Sequence, residues 1–137
     1  MPEINSLAIG DALEERSYES SNVSLFLYNA AIWNPHRIHY DETYTTQIEK
    51  HPGIVVDGPL QGDWLAQVVT NWMGDAGRLL SFEYSNRRAT YLGERLISGG
   101  TISAIDTSTA TVSLELFIKN DKGEVTSPGT AVVHLGA

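Results

Sequence analysis

Residues 58–73 read GPLQGDWLAQVVTNWM, and the spacing of their apolar side chains decides the fold. Leu60, Trp64, Leu65, Val68, Val69, Trp72 and Met73 follow one another at steps of four, one, three, one, three and one. That is the stripe of an α-helix with one wide apolar face. Pro59 suits the first helical position, with Gly58 or Asp57 at the cap, and Gly74 ends the helix. A face this broad predicts a central helix rather than a surface one.

Downstream of this helix the chain reads as strands. Residues 79–84 are mixed, and residues 94–105 form a long strand in which Gly99-Gly100 marks a bulge or bend. Ala110, Val112, Leu114, Leu116 and Ile118 alternate with polar residues, Phe117 being the exception; such a strand buries one face of an antiparallel sheet. Asn120–Gly123 is a hairpin turn, and residues 125–135 form the last strand, where Pro128 implies an edge position or a bulge. Upstream, short strands are expected around 7–9 and 15–18. A helix follows, capped by Ser21 or Asn22, with Leu25, Leu27, Tyr28, Ala31 and Ile32 at near-helical spacing. It stops near Asn34-Pro35 because the residue before proline is excluded from the α region. Asp41 caps a polar helix over ETYTTQIEK, and GIVVD (53–57) is a short extended approach to the central helix. The expectation is an α+β domain in which an antiparallel sheet wraps one long helix, leaving a sheet edge that a second copy could cover.

At 137 residues the chain is expected to be one domain, 1–137. No apolar run is long enough to span a membrane, and MPEINSLAIG has neither a basic nor an apolar signal region, so a cytoplasmic protein is expected. The absence of cysteine excludes disulfides, thiolate metal sites and cysteine nucleophiles. With a net charge of −8 and nine Lys+Arg, there is no basic face for nucleic acid. The only basic doublet is Arg87-Arg88.

The densest chemistry lies in WNPHRIHYD, residues 33–41. By itself His39 reads as a hydrogen-bonded loop histidine. A His36–His39–Asp41 metal site is conceivable, but nothing else in the motif supplies ligands, and no metal or cofactor is expected. No serine-hydrolase elbow, phosphate loop or zincin motif occurs.

NPHRIHYDETY (34–44) followed by HPGIVVDGPLQGDWLAQVV (51–69) resembles the hydratase motif of the MaoC-like family, the (R)-specific enoyl-CoA hydratases and 3-hydroxyacyl-thioester dehydratases of hotdog fold. YLGERLISGGTISAI and VSLELFIKNDKGEVTSPGTAVVHL are similar to its strands, so the likeness covers essentially the whole chain; VVTNWMG more weakly resembles the small subunits of actinobacterial steroid side-chain hydratases. The resemblance implies a hotdog dimer, or a pairing with a related hotdog chain. The acyl-CoA or acyl-carrier-protein substrate would then lie at the interface, beside the start of the central helix. His39 matches the family histidine. Five residues before it stands Asn34 where the wider family has Asp, and Asp57 occupies a position that is His in the nearest branch.

Hydration of an enoyl thioester needs a base for water, an acid for Cα and donors for the developing oxyanion. His39 can transfer protons near neutrality. Asn34 cannot take a proton but can hold water or the thioester. The Gly58 N–H at a helix start suits the oxyanion. Asp57 could orient His39, stand in for the missing carboxylate, or simply cap the helix. Arg87 and Arg88 are candidates for the phosphates of the carrier. Arg37 anchors the loop or a phosphate, and Trp33 and Tyr40 wall the pocket or pack. The expected activity is therefore that of a hydratase/dehydratase in lipid metabolism, with the acyl group left open among fatty, steroid side-chain and polyketide. One rival is a non-catalytic hotdog subunit that scaffolds an active homologue. The other is a hotdog thioesterase using Asp57.

Overall fold

The computed structural model describes residues 2–136. Five antiparallel strands form one sheet: β1 (Arg16–Glu19), β2 (Arg78–Tyr84), β3 (Arg95–Asp106), β4 (Thr111–Lys119) and β5 (Val125–His134), in the order β1-β3-β4-β5-β2. Three α-helices accompany it: α1 (Asn22–Ala31), α2 (Glu42–Gln47) and α3 (Gly58–Met73). The long helix α3 packs against β2, β3, β4 and β5. Its Trp64, Leu65, Val68 and Val69 join Ile102, Val112, Leu114, Leu116, Ala131 and Val133 in one buried cluster. Each such aliphatic side chain contributes about 1.5–3 kcal/mol on leaving water, so the helix stripe and the sheet face stabilise each other.

The helix ends follow their sequence signals. Ser21 and Ser24 exchange side-chain to backbone hydrogen bonds at 3.0 and 2.9 Å, a reciprocal cap for α1. The Asp41 carboxylate accepts from the Tyr44 N–H at 3.0 Å to start α2. Gly74 closes α3 with φ 69°. The hairpin between β4 and β5 is held by Asn120, whose Oδ1 accepts from the N–H groups of Lys122 and Glu124, each at 3.0 Å.

Several expectations are corrected. No strand forms over 7–9. The Asp11 carboxylate accepts from the Ala8 N–H at 2.8 Å, Gly10 takes φ 94°, and the resulting turn places Ala12 as an isolated bridge to Thr101 of β3. α2 ends at Gln47, short of the segment 48–50. The β4–β5 register shifts between Ile118 and Lys119, so the bulge expected near the start of β5 is present, and the edge alternative is not, since an interior strand carries Pro128. Its carbonyl accepts from the Ser85 N–H just past the last β2 pair, Tyr84–Gly129, so its missing N–H falls where β2 has stopped. Gly99 and Gly100 are not themselves the bulge in the β3–β4 pairing, which lies between Ile102 and Ala104. They are small because a Cβ on Gly100 would stand 2.7 Å from the Glu115 carbonyl oxygen, and one on Gly99 2.7 Å from the Phe117 ring. Finally, α1 buries Leu25 and Asn29, while Leu27 and Ile32 from the expected stripe, with Val23 and Phe26, are exposed.

Candidate active site

Three segments converge ahead of α3. The first is α1, carrying Asn29. The second is the loop after it, which the sequence makes rigid. Asn34 Oδ1 accepts from the His36 N–H at 3.1 Å, Tyr40 donates its hydroxyl to the Pro35 carbonyl at 2.9 Å, and a 3-10 turn over Arg37–His39 follows. Arg37 braces that turn by donating from Nε and Nη2 to Asp41 at 3.0 and 2.8 Å and stacking 4.3 Å over the Tyr44 ring. The Tyr44 N–H and then Arg37 hold the Asp41 carboxyl below its usual range. Arg37 is therefore engaged as a loop anchor. The third segment is 54–57, which lies beside the loop through a Val55 N–H bond to the Ile38 carbonyl at 2.9 Å.

His39 is buried, and its Nδ1 lies 2.8 Å from the Val55 carbonyl oxygen. A carbonyl only accepts, so Nδ1 carries the proton and Nε2 is the free basic atom of the neutral ring. That Nε2 faces Asp57 Oδ2 at 3.5 Å. Asp57 is fully buried. Its Oδ1 accepts from Asn29 Nδ2 at 2.9 Å, and its Oδ2 has no hydrogen-bond partner among the described residues. Burial pushes the Asp57 carboxyl above the usual carboxylate range, while the Asn29 hydrogen bond and the His39 charge pull it back.

Asp57 occupies the N-cap position of α3 yet makes no side-chain cap bond. The capping role that its position allowed is thus unused; the carboxylate turns toward Asn29 and His39. The start of α3 keeps backbone donors uncovered by that side chain, apart from Pro59, which has none. Gly58 is crowded by the Asn86 side chain, whose Nδ2 would be 2.3 Å from a Cβ there. Behind it, Gln61 Nε2 donates to Thr90 Oγ1 at 3.2 Å, and Ser127 Oγ donates to Gln61 Oε1 at 3.0 Å. This buried polar chain ties α3 to the sheet.

An apolar cleft of about 430 Å³ is lined by Phe26, Asn29, Ala30, Trp33, Asn34, Pro35 and Tyr40; it meets the His39–Asp57 pair through Asn29, while His39, Asp57 and Gly58 are not among its lining residues. Trp33 is 92 % exposed and has φ 56°, a left-handed conformation that a bulky residue adopts only under constraint. Arg87 and Arg88 are exposed on the segment after β2; Arg88 pairs with Glu124 and borders a separate cavity of about 500 Å³ and mixed lining with Lys122 and Asn120. The segment is tied to the site by the Val56 N–H, which donates to the Thr90 carbonyl at 2.8 Å. His36, His39 and Asp41 form no metal-holding group among the described residues. Sequence reasoning missed Asn29. Its signal was a polar residue four positions after buried Leu25, on the same helix face.

Comparison with known proteins fixes the family. The family profile for hydroxyacyl-thioester dehydratase type 2 matches residues 6–92, more than half of the chain. The chain belongs to the type 2 hydroxyacyl-thioester dehydratase family. It is 53% identical over 36 residues to the mesaconyl-C(4)-CoA hydratase of Chloroflexus aurantiacus, covering 26% of this chain and 13% of that protein. It is 34% identical over 61 residues to the mitochondrial hydroxyacyl-thioester dehydratase type 2 of Schizosaccharomyces pombe, covering 39% of this chain and 20% of that one. The matches to these curated relatives thus span a fifth of their length or less. Among solved structures, the (R)-hydratase from A. caviae superposes with a TM-score of 0.85 at 17% identity, over 96% of this chain and 98% of that one. The ChsH1–ChsH2 complex from Mycobacterium tuberculosis gives 0.82 at 15% identity, over 94% and 98%. These likenesses establish the hotdog fold: this type 2 dehydratase family member is an α+β hotdog whose sheet curls around α3. No helix among the described residues is long and apolar enough to cross a membrane.

Proposed function

We propose that this chain carries out the reversible hydration of an enoyl thioester to a 3-hydroxyacyl thioester. One observation carries the reading: a buried imidazole presents its basic nitrogen to a buried carboxylate at 3.5 Å, beside a helix start whose cap residue leaves it uncapped. In the hydration direction the oxygen of water bonds to Cβ and passes a proton to His39 Nε2. The Cα=Cβ electron pair moves into the thioester carbonyl as an oxyanion, which the Gly58 N–H and the helix dipole stabilise. Return of the electron pair takes a proton onto Cα from the His39–Asp57 pair, restoring it. Asn34, on the cleft, holds the water or the thioester. Trp33 and Tyr40 wall the cleft. Arg87 and Arg88 meet the phosphates of CoA or a carrier protein, and Arg37 supports the loop that carries His39.

The exposed apolar face of α1, with Val23, Phe26 and Leu27, supports assembly as a homodimer or with a second hotdog chain. A name such as ChsH1–ChsH2 shows that a protein of this fold forms a complex of two named chains. The thioesterase alternative has less support, since the unpaired Asp57 oxygen faces a ring and not solvent.

The test is hydration of crotonyl-CoA and a longer enoyl-CoA by wild type and His39→Ala. Turnover by wild type and its loss in the variant support the reading; equal rates sink it. Release of free thiol from acyl-CoA would establish hydrolysis in its place. Activity only on mixing with a second hotdog chain would make this chain a supporting subunit.

A further inference from the structure

We infer that Asn29 is the positioning residue of the His39–Asp57 pair, fixing one carboxylate oxygen so that the other is turned to the imidazole. The function of that pair rests on the hydratase reading above; the placement of Asn29 does not. Both N–H bonds of the Asn29 amide are committed to oxygen acceptors, the Leu25 carbonyl at 2.7 Å and Asp57 Oδ1 at 2.9 Å. With two acceptors on one side, the amide orientation has a single solution. The bond to Leu25 braces the side chain on its own helix, so the donor aimed at Asp57 is held by backbone and not by a mobile neighbour. Only 3 % of Asn29 is exposed, so little water competes for that bond.

Asn29 is the one side chain among the described residues that donates a hydrogen bond to the Asp57 carboxylate. A buried carboxylate without donors takes a proton and ceases to be a base. Because Asn29 engages Oδ1 alone, Oδ2 is left toward His39. The other titratable groups facing Asp57 are His39 from the loop and Tyr28 from α1. Tyr28 donates to Asp63 of α3 at 3.5 Å, and burial, Asp63 and Asp57 push its hydroxyl up to about 12, so it stays neutral and lends Asp57 no compensating charge. Asn29 Oδ1 has no partner among the described residues, so this amide is not placed for its own satisfaction.

The experiment follows the Asp57 carboxyl carbon by NMR across pH in wild type, Asn29→Leu and the near-isosteric Asn29→Asp, assigning the signal with Asp57→Asn. The expected result is a midpoint raised by about one pH unit or more in both variants, as befits loss of a bond to a charged group. Steady-state hydration of crotonyl-CoA should then show kcat reduced about tenfold or more with its acid limb moved upward, and KM nearly unchanged. Should the variants fail to fold, the side-chain amide signal of Asn29 in wild type should titrate with the Asp57 midpoint. An unmoved midpoint in folded variants, or a wild-type amide signal indifferent to Asp57, overturns the assignment. Carboxyl movement without any enoyl-CoA turnover overturns the hydratase reading and leaves Asn29 in place; turnover without movement does the reverse.

Discussion

His39 Nε2 and Asp57 Oδ2 lie 3.5 Å apart, brought together by two loops that share the Val55–Ile38 backbone bond. With Nδ1 committed to the Val55 carbonyl, neither facing atom carries a donor while the ring is neutral and the carboxyl ionised. The arrangement is complete with one proton between them. Such a pair can accept a proton from water and return one to carbon without exposing a net buried charge for long.

Asp57→Asn should abolish hydration yet stabilise the fold at neutral pH. The folded Asp57 carboxyl titrates above its unfolded value because burial disfavours the anion. The native state therefore keeps a proton that the unfolded chain has already released. Its contribution to stability is best near pH 4 and declines as pH rises through the folded value. An amide at this position removes that decline and offers His39 Nε2 a donor. Thermal unfolding should show a Tm a few degrees above wild type at pH 7.5, on the order of 1 kcal/mol, with the gap closing toward pH 4.5.

His39→Gln should retain the fold and lower kcat by about 10²–10⁴, the range for loss of one general acid–base. Because the ring is largely buried and fixed by a backbone carbonyl, an exogenous base could reach its place only through the space the substrate itself fills. Added imidazole should therefore restore little of the rate, which stopped-flow assays with crotonyl-CoA can measure.

Arg87→Ala should raise KM for an enoyl-CoA about three- to tenfold with kcat little changed, and the effect should shrink with added salt. The same substitution should leave KM for an enoyl-pantetheine thioester, which lacks the nucleotide phosphates, nearly unaltered. Arg88 is engaged by Glu124, so Arg88→Ala should also lower stability slightly, within the ~0–1 kcal/mol of an exposed pair.

Gly100→Ala should destabilise the fold by about 1–3 kcal/mol, the cost of overpacking. The obstruction is the Glu115 carbonyl oxygen of the neighbouring strand at 2.7 Å, which cannot rotate away. Urea unfolding at constant m-value would measure it. Gly58→Ala meets only the end of the Asn86 side chain, which can swing aside, so its stability loss should be smaller while its effect on kcat is larger.

Local signals were legible in the sequence where the responsible atoms are close along the chain. The α3 stripe, the Ser21 and Asp41 caps, the Asn120 turn and the alternation through β4 all involve neighbours within one or two turns or a strand pleat. Pro128 announced an edge or a bulge, and which of the two forms depends on the pairing of distant segments: β5 is interior and bulges opposite Ile118 and Lys119. The near-helical spacing over 25–32 announced α1, but which of its apolar residues would be buried depended on contacts remote in the chain. The site was half legible: a motif could nominate His39 and Asp57. The bond that orients them joins Asn29 to a residue 28 positions away, and one buried asparagine on a short helix carries no periodic signature. Whether Asp57 would cap α3 or turn from it was likewise decided by that remote amide.

The uncapped start of α3 has a consequence for anyone engineering this protein. Programmes that raise heat resistance by repairing imperfect helix ends would single out residue 57 and its neighbours as the obvious place to intervene. A serine or threonine there would quench the backbone dipoles that the reaction is read to need, and would discard the carboxylate as well. Hardier variants should be sought at the opposite end of the strands, around the β3–β4 turn, where Asp106 pairs with Thr111 and accepts from the Ser108 N–H, and where tightening a turn leaves the chemistry untouched.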